Sequence, residues 1–167
     1  LGFQPIAYRG LETGSREKVS YVMKQNQVLF VLSSPLRSGT DIGKHIDKHG
    51  DGVKDVSFTV DSAENAWKET TSKGAISVKE PHLIEDEKGE AVLSTIKTYG
   101  DTTHTFVERT SYNGPFLPGY EVAKFNKVAE PAGIIHIDHV VGNQPEGEMK
   151  SVCNFYEKVF GWHRFWS

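Results

Sequence analysis

Cysteine is almost absent from this chain. A single residue, Cys153, stands among 167, so no disulfide can close within the chain, and a reducing, cytoplasmic setting is expected rather than secretion. A surplus of either charge is lacking too: 19 Lys and Arg face 22 Asp and Glu, a net charge of -3. No basic cluster is visible, which argues against nucleic acid or a membrane surface as partner. No apolar run approaches the roughly 18 residues of a membrane-spanning helix, so no membrane insertion is expected. The length suits one well-buried domain with room for part of a second.

What is present is a repeated pattern. Gln4 to Arg9, Lys18 to Lys24 and Val28 to Ser33 read as strands, the last two joined by the polar turn Gln25-Asn26-Gln27. Asp41 to His49 reads as a short polar helix or loop. Val53 to Val60 reads as a strand. Asp61-Ser62-Ala63-Glu64 has the spacing of a capping box, which predicts a helix to about Lys73 stopped by Gly74. Strands are then predicted over Ser77 to Ile84, Ala91 to Lys97 and Thr103 to Ser111, giving the order β-α-β-β-β. From Asn113 to Gly133, glycine and proline punctuate a stretch without period, read as a linker.

A further copy is expected to begin at Ile134. Ile134 to Val141 is rich in β-branched residues and ends at a turn signal, so it reads as a strand. Side chains alternate along a strand, which puts Ile135, Ile137, His139 and Val141 on one face and His136 and Asp138 on the other. Three aliphatic residues and one histidine describe a buried face with a single polar group, which needs a hydrogen bond or a metal. A lone histidine of this kind is more often a hydrogen-bonded core residue, and becomes a ligand when others converge on it. On this reading Asp138 faces away and does not hold the His139 ring. A helix follows from Glu148 to Phe160, with Gly161 as its C-cap. Phe160-Gly161-Trp162 repeats the pattern of Leu1-Gly2-Phe3. By that logic a strand and helix are expected before Leu1 and further strands after Ser167, so the chain is expected to be an internal fragment.

The chain resembles the vicinal-oxygen-chelate superfamily and, within it, the animal-type Fe(II)-dependent 2-oxo acid dioxygenases. The segments that carry the resemblance are Ala7 to Arg16, His49 to Asp55, Thr98 to Thr105, Phe116 to Glu121, Ile137 to Gln144 and His163 to Ser167, in the family's order. The fold this implies is α+β, built of βαβββ modules: residues 1–112 a non-catalytic N-terminal barrel truncated at its start, 113–133 a linker, and 134–167 the first strand and helix of a second, catalytic barrel. The activity implied is conversion of 4-hydroxyphenylpyruvate and O2 to homogentisate and CO2 in tyrosine catabolism. The cofactor is one Fe(II) held by two histidines and a glutamate. His139 matches the first histidine through its Asp-His-x-x-Gly-Asn context, and the other two ligands belong to strands beyond Ser167. A facial triad needs three protein ligands to leave three positions for the 2-oxo acid and O2, so the fragment alone is expected to be inactive. The partners implied are the 2-oxo acid, O2 and a second copy in a homo-oligomer, a dimer.

Comparing the copies adds Asp55 and Glu108, which stand where the second histidine and the glutamate would stand and would mark a degenerate N-terminal site. The alternative, that both are ordinary partly solvated carboxylates, is the commoner case. Val141 either lines the substrate pocket or belongs to the barrel core. His82 and His104 read as surface or turn histidines, His45 and His49 as a solvated helix face, and Cys153 as an inert thiol near an apolar stripe. Two other readings stay open: a sister enzyme that converts the same substrate to a mandelate, and a non-catalytic binding protein of the same fold.

Overall fold

The computed structural model of the protein describes residues 1–124 and 129–165. Residues 125–128 of the expected linker, and Trp166 and Ser167 of the closing motif, lie outside the described residues. The fold is mixed α+β, with two four-stranded sheets, three α-helices and one short 3-10 helix among the described residues. By their contacts the described residues fall into two compact units, one of 1–52, 85–89, 112–124 and 129–140, the other of 53–84, 90–111 and 141–165.

In the first unit, β1 (Gln4–Arg9), β2 (Lys18–Gln25) and β3 (Val28–Pro35) form an antiparallel meander. The register of β1 on β2 shifts between Pro5 and Ala7; proline has no N–H to give a ladder, and a bulge beside it absorbs the mismatch. Helix α1 (Asp41–His49) follows, capped by Thr40, whose hydroxyl accepts from the Gly43 amide at 3.2 Å. The stretch read as a linker contains a further strand, β8 (Glu121–Val122), which pairs antiparallel with Ala7 and Tyr8. Its approach is fixed by Phe116, Leu117 and Tyr120, which pack against Ala7 and Val22. The sheet order is β3-β2-β1-β8.

The second unit holds a βαβββ module apart from the β5–β6 turn at 85–89: β4 (Phe58–Thr59), α2 (Ala63–Ser72), β5 (Ser77–Asp86), β6 (Gly89–Lys97) and β7 (Thr103–Glu108), in the sheet order β4-β7-β6-β5. Strand β4 is shorter than the expected Val53 to Val60, because only Phe58 and Thr59 run in parallel register with β7, and Asp55 makes an isolated bridge to Thr103. The cap of α2 is Ser62, whose hydroxyl accepts from the Asn65 amide at 3.2 Å, not Asp61. A cap is chosen by where the backbone turns helical, and that is one residue later than the Asp-x-x-Glu spacing suggests. Helix α3 (Met149–Phe160) ends at Gly161 with φ 71, the left-handed C-cap expected of it. The core of this unit is Ala63, Ala75, Ile96, Phe106 and Val159, with Trp67, Phe155 and Phe160 packed around it.

Candidate functional site

The segment that carries His139 differs from expectation. Residues 131–145 have no regular secondary structure, and Ile135, Ile137 and Val141 are 60%, 50% and 73% exposed. A strand face is buried only where a ladder and a second layer cover it, and alternation in the sequence supplies neither. The His139 side chain is 74% exposed among the described residues. Its Nδ1 lies 2.6 Å from Asp138 Oδ2. The inference that Asp138 faces away fails with the strand it rested on, since alternation binds only a pleated chain. A carboxylate on Nδ1 fixes the ring tautomer and leaves Nε2 to a metal, the usual arrangement around a ligating histidine. What holds this segment is the β2–β3 hairpin tip and the backbone of Leu1. The Ile134 amide donates to Gln25 Oε1 at 2.7 Å, Asn26 Nδ2 donates to the Ile134 carbonyl at 2.6 Å, and the Gln27 amide donates to the Ile135 carbonyl at 3.0 Å.

Asp55 and Glu108 are not brought together. The Asp55 carboxylate accepts from Thr103 and Thr105 hydroxyls at 2.6 and 2.9 Å and from Ser57 at 2.5 Å. Glu108 accepts from the Ala63 amide at 2.9 Å, at the N-terminus of α2. Along β7, Thr103 and Thr105 share one face while His104, Phe106 and Glu108 share the other, so the two carboxylates serve opposite faces of one sheet. Asp55 organises a hydroxyl cluster, and Glu108 satisfies an orphan helix amide and faces the positive end of the helix dipole. Among the described residues no three His, Cys, Asp or Glu side chains are grouped to hold a metal.

His104, expected at the surface or in a turn, is 4% exposed. Its Nδ1 donates to the Val56 carbonyl at 2.8 Å and its Nε2 accepts from the Tyr156 hydroxyl at 3.0 Å. Burial holds its pKa below the ordinary histidine value, against the raising effects of the Val56 hydrogen bond and the Asp55 charge. Burial likewise pushes the Tyr156 hydroxyl up to about 12. The threonines flanking His104 made it look solvated; the apolar partner Phe106 two residues on was the signal of a buried face. His82 Nδ1 lies 3.0 Å from the Glu80 carbonyl, the His45 and His49 rings meet tilted with centroids 4.6 Å apart, and Cys153 is half-buried. No helix among the described residues is long and apolar enough to cross a membrane.

No family model matches the chain. Its whole length aligns with proteins named 4-hydroxyphenylpyruvate dioxygenase: at 46% identity with that of Aspergillus fumigatus, 46% with that of Xenopus tropicalis and 48% with that of Dictyostelium discoideum. It spans 46%, 44% and 47% of those relatives, just under half of each. A solved structure of a 4-hydroxymandelate synthase mutant from Streptomyces coelicolor superposes with a TM-score of 0.79 at 25% identity, over 96% of this chain and 46% of that one. Methylmalonyl-CoA epimerase from Streptomyces coelicolor shares the fold alone, with a TM-score of 0.54 at 16% identity over 66% of this chain and 81% of that one. The chain thus has the vicinal-oxygen-chelate fold and is related, along its whole length, to part of the 4-hydroxyphenylpyruvate dioxygenases.

Proposed function

We propose that the chain is part of an Fe(II)-dependent dioxygenase that converts 4-hydroxyphenylpyruvate and O2 to homogentisate and CO2. The observation that carries this reading is His139, an exposed imidazole with Nδ1 engaged by Asp138, in a chain similar over its whole length to dioxygenases of that name. His139 offers Nε2 as one iron ligand, and Asp138 sets its tautomer and makes it a better donor. When bound, iron would supply a Lewis-acidic centre for the 2-oxo acid and O2, and its other two ligands, a second histidine and a glutamate, would come from the part of the relatives that this chain does not span. With one ligand of three, the 167 residues alone turn over no substrate. Val141, two residues past His139, lines the substrate pocket on this reading; the alternative is a place in the barrel core. In this reading residues 1–112 are the non-catalytic barrel, 113–133 the linker and 134–167 the start of the catalytic barrel of a cytoplasmic dimer.

A second reading is favoured by one observation, the superposition on a 4-hydroxymandelate synthase mutant. The two reactions diverge in which carbon is hydroxylated. Oxygen uptake by the complete reading frame, reconstituted anaerobically with Fe(II) and given 4-hydroxyphenylpyruvate, separates them. Homogentisate from the wild type and none from His139→Ala is the expected result. A mandelate product moves the chain to the sister enzyme, and full activity of His139→Ala removes His139 from the iron.

A further inference from the structure

The turn between β2 and β3 uses its polar groups in an unusual way. Hairpin tips normally give their side chains to water. Here Gln25 is 5% exposed and both ends of its amide are engaged, Oε1 with the Ile134 amide and Nε2 with the Leu1 carbonyl, each at 2.7 Å. Asn26 sits at φ 51, a left-handed position that asparagine tolerates, and this turns its Nδ2 onto the Ile134 carbonyl at 2.6 Å. The Gln27 amide takes the next carbonyl, Ile135, at 3.0 Å. Three successive residues of one turn thus grip two successive residues that lie more than 100 positions later in the chain. The same end is laced further: Gln4 Nε2 donates to the carbonyls of Gly2 and Ala129 at 3.1 and 2.9 Å, and the Ala132 amide donates to the Leu1 carbonyl at 3.2 Å.

From Ile135 to Val141 the side chains are exposed and the segment has no ladder, so the clamp is the hydrogen-bonded anchor that precedes His139, while the close approach of Gly142 to Tyr99 follows it. His139 follows four residues on, at most about 14 Å of extended chain. A ligand must be held within about half an ångström of its productive place, and an exposed segment reaches that only if its approach is fixed beforehand. We infer that Gln25 and Asn26 are positioning residues for His139: the β2–β3 hairpin tip sets the register of the metal-bearing segment. This rests on the reading of His139 as an iron ligand.

The test uses the complete protein with Gln25→Ala, Asn26→Gly and His139→Ala. Fe(II) affinity is measured by anaerobic titration, the visible spectrum of the Co(II)-loaded protein reports coordination geometry, and the melting temperature is taken without metal. Glycine adopts φ 51 at no cost, so Asn26→Gly removes only the side-chain bond and folds even if Gln25→Ala does not. Expected are a 10- to 100-fold weaker Fe(II) affinity for Gln25→Ala, the range seen when support around a ligand is lost, a smaller loss for Asn26→Gly, and an altered Co(II) spectrum in both. Gln25→Glu, which can still accept from Ile134, restores part of the affinity. A lowered melting temperature with unchanged affinity and spectrum overturns the inference and leaves the clamp as mere structure. If His139→Ala loses iron while the hairpin variants bind like the wild type, the clamp alone is refuted. If His139→Ala binds iron normally, the ligand reading fails and takes the clamp's role with it.

Discussion

The two units are built from the same meander but are held together by different forces. In the second, sheet β4-β7-β6-β5 has helices packed on one face, and Ile96, Phe106 and Val159 are 0%, 3% and 3% exposed. In the first, sheet β3-β2-β1-β8 has a small core of Ala7, Val22 and Tyr120, and its edge strand β3 exposes Leu29, Phe30, Val31 and Leu32 by 40–58%. There the chain is fastened by hydrogen bonds from Gln4, Gln25 and Asn26 and by close backbone approach at Gly2. Apolar cover makes the second unit tolerant of polar change and intolerant of cavities. Polar lacing makes the first sensitive to single hydrogen bonds and to one glycine.

The sharpest way to break this contrast is to hollow each unit in turn. Phe106→Ala is expected to cost ~3–5 kcal/mol in urea unfolding, because a buried ring leaves both lost transfer energy and a cavity. Leu32→Ala, at 58% exposure, should cost less than ~1 kcal/mol. Equal losses would show that β3 is as well covered as β7. Next in size is Gly2→Ala. Gly2 has φ +73, and a Cβ built on it would lie 2.1 Å from the Glu130 carbonyl oxygen. A loss of ~2–3 kcal/mol is expected, with faster amide exchange through 129–135; an unchanged melting curve and exchange pattern would show that the backbone there parts without cost.

A smaller effect depends on pH. His104 prefers the neutral form in the fold, so its contribution is complete above the ordinary histidine pKa of 6.5 and is lost as pH falls below it toward the depressed folded value. The urea midpoint of the wild type should therefore fall between pH 7.5 and 5 by more than that of His104→Phe, and parallel curves would remove His104 as the cause. Smallest is Glu108→Gln, which keeps an acceptor for the Ala63 amide but removes the charge at the α2 N-terminus. A loss of ~0.3–1 kcal/mol that shrinks in high salt is expected; a salt-independent loss would mean that the hydrogen bond alone matters.

Much of the secondary structure was legible in the residues. Strand β1 runs from Gln4 to Arg9 and α1 from Asp41 to His49 as the pattern implies, and Gly161 closes α3 where the apolar stripe ends. These features are local: alternation, helical spacing and a left-handed cap are set within a few residues. The candidate site was legible only in part. The context of His139 was visible, but its exposure and its pairing with Asp138 were not, because both depend on whether a neighbouring strand covers 134–141.

The sequence by itself determined the three strands of the first meander, the three α-helices and the family that the ordered motifs resemble, because alternation, helical spacing and caps are set within a few residues. Tertiary structure alone decided three things. It buried His104 between Val56 and Tyr156, put Asp55 and Glu108 on opposite faces of one sheet, and brought the Gln25-Asn26-Gln27 turn onto Ile134 and Ile135. Each is a contact between residues 45 or more positions apart, and local propensity carries no information about which distant surface closes on which.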